Sequence, residues 1–213
     1  MAKEGISTIA AIFLFGAILI TGALITGNLI LYFFAILDLL MFVFSLYFFR
    51  DPEREKPPGE KLILSPADGK IIKIETTEET DFFKGRVKLV SIFMSVFSVH
   101  VNRIPISGKV VYFSYKKGAF LQAFKDDASY INEQTIIVIE NKNMKVLFKQ
   151  IAGIVARRII CNLRLDSVVN QGERFGMIKF GSRVDILFPE TVQVKVKLND
   201  KVTAGKTIIG TYF

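Results

Sequence analysis

No charged side chain occurs from Gly5 through Leu37, and apolar residues run on to Phe49 with only Asp38 intervening. Such a run is too long for the apolar region of a signal peptide. It also lacks a small-residue cleavage site ahead of a polar segment. Two spans fit, Ile6–Thr26 and Leu29–Phe49, joined at Gly27-Asn28. Each holds 21 residues, enough at ~1.5 Å rise per residue to cross a ~30 Å hydrocarbon core. One longer span with Asp38 at the interface is the other arrangement. In either, Asp38 is costly near mid-membrane and must be protonated, paired or turned toward a partner helix.

Outside residues 1–49 the chain carries 27 basic and 18 acidic side chains. That excess implies an anionic partner, nucleic acid or acidic lipid headgroups, and the apolar segment decides for a membrane surface over nucleic acid. Arg50, Arg54, Lys56 and Lys61 follow the second span, while the Gly27-Asn28 turn is uncharged. The positive-inside rule then places both ends on the cytoplasmic side of the cell (inner) membrane. One cysteine, Cys161, and one histidine, His100, exclude an intrachain disulfide and any Cys- or His-based metal site.

Three parts follow: a membrane anchor over 1–49, a linker over 50–61 stiffened by Pro52, Pro57 and Pro58, and a domain over 62–213. In that domain β-type patterns dominate. Ile71, Ile72 and Ile74, then Val87–Val90, Val110–Tyr115, Ile136–Ile139 and Val146–Phe148, read as strands. Val192–Leu198 alternates cleanly and predicts another, with a turn at Asn199-Asp200 and a bend at Ala204-Gly205. Ser91–Val99 and Ala119–Tyr130 are ambiguous, the latter between a helical turn and a loop. The expected fold is mainly β, a compact sandwich or barrel-like domain behind an N-terminal transmembrane helical hairpin.

Chemistry concentrates in three motifs. Phe180-Gly181-Ser182-Arg183-Val184-Asp185 sets a Gly-Ser peptide in a β-type run. If the fold strains that bond, the Ser182 hydroxyl can attack the Gly181 carbonyl and turn the amide into an ester, and glycine tolerates the backbone this needs. Elimination would leave dehydroalanine and then a pyruvoyl group, an electrophile for amines that nothing else in the chain supplies. Alone, Gly-Ser is a common turn or strand dipeptide. Ser65-Pro66-Ala67-Asp68-Gly69 and His100-Val101-Asn102-Arg103-Ile104-Pro105 keep it company.

Together these motifs resemble the phosphatidylserine decarboxylases in their short, membrane-anchored form. The likeness extends in order through Phe48–Arg54, Gly118-Ala119-Phe120, Asn132-Glu133, Ala156-Arg157-Arg158 and Gln171–Gly176. It implies a proenzyme that cuts itself between Gly181 and Ser182 into a β chain, 1–181, and an α chain, 182–213. The two stay associated as a heterodimer, with a higher oligomer open. The resemblance further implies decarboxylation of phosphatidylserine to phosphatidylethanolamine by the Ser182-derived pyruvoyl group. Ser182, His100 and Asp68 are the expected catalytic residues, and Arg157, Arg158, Asn102 and Arg103 the expected substrate contacts. His100 is the one residue whose ordinary pKa suits acid–base work near neutrality, with Asp68 as its orienter or a base in its own right. The family's longer branch has a second histidine where this chain has Arg103, and a small hydroxyl residue where it has Arg183.

Bland readings stand beside these. A lone histidine in a strand is often structural, and Asp68 before Gly69 is on turn chemistry a turn residue. Phe120, Leu121 and Phe124 beside Lys116, Lys117 and Lys125 fit a core or a loop dipping into an anionic bilayer. The competing functions are a non-catalytic, membrane-tethered barrel-sandwich adaptor, for which Met144-Lys145 is the nearest carrier-like tip although the pair reads first as an ordinary strand start, and a pyruvoyl decarboxylase of another serine lipid such as an ether-linked one.

Overall fold

The computed structural model describes residues 1–124, 127–153, 159–179 and 181–212. The chain divides into two compact units, Met1–Pro52 and Glu53–Phe213.

In the first, a short 3-10 turn leads into α1 (Ile6–Thr26), and α2 (Leu29–Phe48) folds back beside it. Both helices are long and apolar enough to cross a membrane. Their backbone groups are satisfied internally, as a hydrocarbon environment demands. Gly27 ends α1 at φ +64°, and the Asn28 side chain caps α2 by accepting from the Ile30 N–H at 2.9 Å. Asp38 faces its partner helix: its carboxylate lies on Gly16, where any side chain would collide with it.

Among the described residues the second unit contains fourteen strands: β1 (Leu62–Leu64), β2 (Gly69–Glu79), β3 (Gly85–Met94), β4 (Val101–Arg103), β5 (Gly108–Lys116), β6 (Gln134–Glu140), β7 (Lys145–Ile151), β8 (Ile159–Cys161), β9 (Val168–Val169), β10 (Arg174–Ile178), β11 (Ser182–Pro189), β12 (Gln193–Val194), β13 (Lys201–Val202) and β14 (Ile208–Thr211). A one-turn helix, α3 (Ala128–Ile131), precedes β6. Eight strands form one curled antiparallel sheet in the order β13-β2-β3-β11-β7-β6-β5-β9, and β1-β14-β12 and β4-β10-β8 form two small sheets. The mainly β, barrel-like expectation is met.

Strand alternation sorts the side chains. Val90, Ile92 and Met94 of β3, Phe148 of β7 and Val184, Ile186 and Phe188 of β11 enter the main core with Ile71, Ile137 and Phe175. The opposite face carries a smaller cluster, Val87, Leu89, Ile136, Val138, Leu147 and Leu187, covered by Phe82, Phe83 and Tyr112. Central β11 is therefore buried on both faces along almost its whole length.

One expectation needs correction. Val192–Leu198 is not one strand, because only Gln193 and Val194 pair, with β14. The chain then crosses between sheets: Lys195 still donates to Ile209, but Asn199 donates to Ile71 of β2. The alternation records burial of Val192 and Val196 during that crossing, not a continuous ladder. Met144-Lys145 is the ordinary strand start its pattern suggests: Lys145 opens β7 and faces Glu140 at 3.5 Å. Of the ambiguous stretches, Ser91–Met94 completes β3. Phe120 packs against the core, while Leu121 and Phe124 are exposed.

Candidate active site

Antiparallel pairing sets Ser182, the first residue of β11, opposite Met94, the last of β3. Ser182 is fully buried, and its Oγ–H donates to Met94 Sδ at 3.4 Å. The same sulfur accepts from Asn102 Nδ2 at 3.7 Å. Asn102 Oδ1 in turn accepts from Gln150 Nε2 at 2.9 Å, and Gln150 Oε1 accepts from Thr135 Oγ1 at 2.8 Å. All five side chains are buried, so this polar row crosses β6, β7, β4 and β3 to reach Ser182 without meeting solvent. Buried polar groups persist only when bonded, and such a row tolerates few alternative arrangements.

Gly181 precedes the strand at φ +36°, a left-handed conformation that suits only a residue without Cβ. Its carbonyl oxygen lies directly on Gly153, where an added Cβ would collide with it. Gly153 is itself held in place. Asn132 Nδ2 donates to Ala152 O at 2.7 Å and to Leu121 O at 2.8 Å, and the Ala152 N–H donates to Glu133 O at 2.9 Å. Asn132-Glu133 thus fastens the 119–121 loop to the residue before Gly153.

His100 is fully buried one residue before β4. Its carbonyl accepts from the Ile178 N–H at 3.4 Å, and Asn102, two residues on, bonds the sulfur that holds Ser182. That bond ties the His100 segment to the sulfur that Ser182 meets. Asp68 takes other partners: Arg54 forks onto its carboxylate, Nη2 to Oδ2 at 2.8 Å, and Oδ1 also accepts from the Ala204 N–H at 2.8 Å. The same Arg54 donates to Ala204 O at 2.8 Å. Arg103 joins the two motifs, since its N–H donates to Pro66 O at 2.9 Å while its guanidinium donates to Gly172 O at 3.0 Å. Arg157 and Arg158, like Phe180 and Lys125, lie outside the described residues.

On the opposite face of the sheet a pocket of about 210 Å³ is lined by Glu75, Glu79, Ser129, Lys149, Arg183 and Asp185, among others. Burial lowers the pKa of the Lys149 ammonium there, and the facing Asp185 carboxylate opposes that shift. Cys161 of β8 has its thiol pushed up to about 11 by burial, which makes it a poor nucleophile. Among the described residues no cluster of His, Cys, Asp and Glu is arranged to hold a metal ion.

Met94, Gly153 and Gln150 escaped the sequence reading, as did the pairing of Arg54 with Asp68. Met94 looks like any apolar strand residue, and Gly153 like any loop glycine. Only Arg54 carried a signal, as part of the Phe48–Arg54 match.

Comparison with known proteins identifies the family. The phosphatidylserine decarboxylase family model matches residues 41–210. A phosphatidylserine decarboxylase proenzyme of Syntrophus aciditrophicus is 48% identical over 179 residues, 84% of each chain. One from Chlorobium phaeobacteroides is 50% identical over 170 residues, 80% of each chain. One from Pelobacter propionicus is 42% identical over 214 residues, covering 99% of this chain and 96% of its own. The chain belongs to the phosphatidylserine decarboxylase family.

Proposed function

We propose that this protein is a membrane-anchored proenzyme that cleaves itself between Gly181 and Ser182 and then decarboxylates phosphatidylserine to phosphatidylethanolamine. The observation that carries the reading is the Gly181-Ser182 peptide itself. A left-handed glycine presents its carbonyl to Gly153 while the adjoining hydroxyl is buried on Met94, within a family whose matched relatives are named proenzymes.

The cleavage balances without oxidant or reductant. Ser182 Oγ gives its proton to a base, which we assign to His100, and bonds the Gly181 carbonyl carbon. The Gly181 C–N bond breaks, the proton passes to the departing nitrogen, and an ester joins the two residues. Removal of the Ser182 α-proton then breaks the Cβ–Oγ bond, and Oγ leaves as part of the Gly181 carboxylate. Water displaces the nitrogen of the resulting dehydroalanine as ammonia, which leaves a pyruvoyl ketone at the start of the α chain.

The surroundings fit such a group. Ser182 has no exposed surface, Met94 offers it an apolar sulfur, and the Asn102 amide is already satisfied by Gln150. When formed, the group supplies a ketone that takes up the primary amine of a serine headgroup and accepts the electron pair left as carbon dioxide departs. His100 then delivers the proton that the substrate carbon requires. Arg157 and Arg158 meet the anionic part of the headgroup. Asp68 acts through its bonds to Arg54 and Ala204, which hold the Ser65–Gly69 turn, and Arg103 ties that turn to the His100 segment through its N–H bond to Pro66 O. The two apolar helices serve as the anchor, and the basic residues after α2 favour a cytoplasmic catalytic unit.

The test is intact mass measurement of purified wild-type and Ser182→Ala proteins, with carbon dioxide release from phosphatidylserine in mixed vesicles. Wild type should yield two pieces parting at 181/182 and release carbon dioxide, and Ser182→Ala should do neither. Turnover by an uncut chain would refute the mechanism.

A further inference from the structure

The two atoms that must react in the proposed cleavage each rest on a residue that cannot take a proton. The Gly181 carbonyl oxygen sits on Gly153; a Cβ at 153 would collide with it, standing 3.1 Å from the carbonyl carbon and 3.3 Å from Ala123 Cβ. Gly153 is not among the positive-φ residues, so its backbone does not call for glycine. The space beside the carbonyl does. Across the peptide, the Ser182 hydroxyl is oriented by Met94 Sδ, a weak acceptor with no basic pKa in the physiological range. That sulfur is pinned by Asn102, Gln150 and Thr135.

Resting on the cleavage reading above, we infer that Gly153 and Met94 are positioning residues for self-cleavage, one holding the attacked carbonyl and the other the attacking hydroxyl. Neither moves a proton. Both act on the distance and angle between Oγ and the carbonyl carbon, before the ester exists. Misplacement of reacting atoms by ~1 Å costs ~100-fold in rate, and a methyl group at 153 forces a displacement of that order. Replacing Met94 by leucine keeps the volume nearly constant but removes the acceptor, so the hydroxyl rotor is released.

The test follows cleavage of full-length, detergent-solubilised protein by denaturing gel and intact mass, for wild type, Met94→Leu and Gly153→Ala, with and without hydroxylamine, which cuts esters but not amides. Each substitution is also made in the uncleavable Ser182→Ala chain, and melting temperatures are compared there. Met94→Leu should slow cleavage about tenfold and Gly153→Ala about 100-fold, with no hydroxylamine-sensitive ester accumulating; in the Ser182→Ala chain Met94→Leu should lower the melting temperature only modestly, the cost of leaving Asn102 Nδ2 without its sulfur acceptor. Cleavage within twofold of wild type for Met94→Leu overturns the inference, as does an ester that accumulates in either variant, since the defect would then lie after acyl transfer. If Gly153→Ala fails to fold, Met94→Leu alone decides. A wild-type chain that does not part at 181/182 would defeat the cleavage reading itself, an outcome distinct from variants that cleave normally.

Discussion

Arg183 is locked to Asp185, two positions along the same strand: Nε lies 2.5 Å from Oδ1 and Nη2 lies 3.1 Å from Oδ2, with both residues only 2% exposed. Ser91 accepts from the same guanidinium at 2.9 Å, and Ser129 donates to the carboxylate at 2.8 Å. Alternation along β11 puts this pair on the sheet face opposite Ser182, so the residue after the proposed scissile bond is bolted down from behind.

Removing one partner leaves a buried charge uncompensated, which typically costs ~3–5 kcal/mol. Asp185→Ala should therefore lose stability of about that size, measured by urea denaturation in the Ser182→Ala chain. The double replacement Arg183→Met with Asp185→Leu should recover most of it, because the desolvation cost disappears with the charges. Equal losses for the single and double variants would show that the pair does not act as a unit.

The fragments should remain together after cleavage. Residues 182–213 contribute β11 to β14, and β11 pairs in register with β3 on one side and β7 on the other. With Val184, Ile186 and Phe188 in the main core, the new chain end has no route out except global unfolding. An affinity tag at the N-terminus is expected to retain the 32-residue piece in native buffer and lose it in strong denaturant. Loss under native conditions would contradict this pairing as the source of cohesion.

The helical hairpin was legible because a charge-free run of this length has few other destinies, and Gly27-Asn28 is its natural turn. The strands over 87–90, 110–115, 136–139 and 146–148 were legible from apolar β-branched runs. Val192–Leu198 was not, because alternation reports burial and is blind to which neighbour supplies the hydrogen bonds. Ser182, His100 and Asp68 stood out only as ordered motifs, and the sequence had no means to show that Asp68 spends its carboxylate on Arg54 and Ala204. Met94 and Gly153 were silent, since one looks like core and the other like loop until β3, β7 and β11 are set side by side.

Asp68 invites a direct separation of roles. Its two oxygens meet Arg54 and the Ala204 N–H, and the side chain is mostly buried. Asp68→Asn keeps the shape but loses the ion pair, so melting temperature should fall, while cleavage should persist at a reduced rate if the residue acts through the turn it holds. Full folding with cleavage abolished would instead assign Asp68 a direct part in the proton transfer.

His100→Ala should lower turnover by ~10²–10⁴-fold, the usual contribution of a positioned general acid. Assaying cleavage and carbon dioxide release separately divides the outcomes. Cleavage without turnover confines His100 to the second phase, and loss of both supports its use in each, provided the variant keeps its β-rich circular dichroism. Near-normal rates in both assays would remove His100 from the mechanism.

Cys161 offers a check on burial in the small sheet that carries the His100 segment. Its thiol is pushed from 9.0 to about 11 by burial, so the folded state holds this proton more tightly than the unfolded state. Its contribution to stability is fully present below pH ~9 and fades as pH rises toward ~11. Replacement by alanine should therefore flatten the stability profile between those limits, measured by thermal melts across the range. At pH 8 the folded protein should react with iodoacetamide far more slowly than the denatured chain, because the thiolate is scarce. Rapid labelling of the folded protein at pH 8 would mean that β8 opens readily from β10, and that the segment beside His100 is less firmly packed than its pairing with β10 implies.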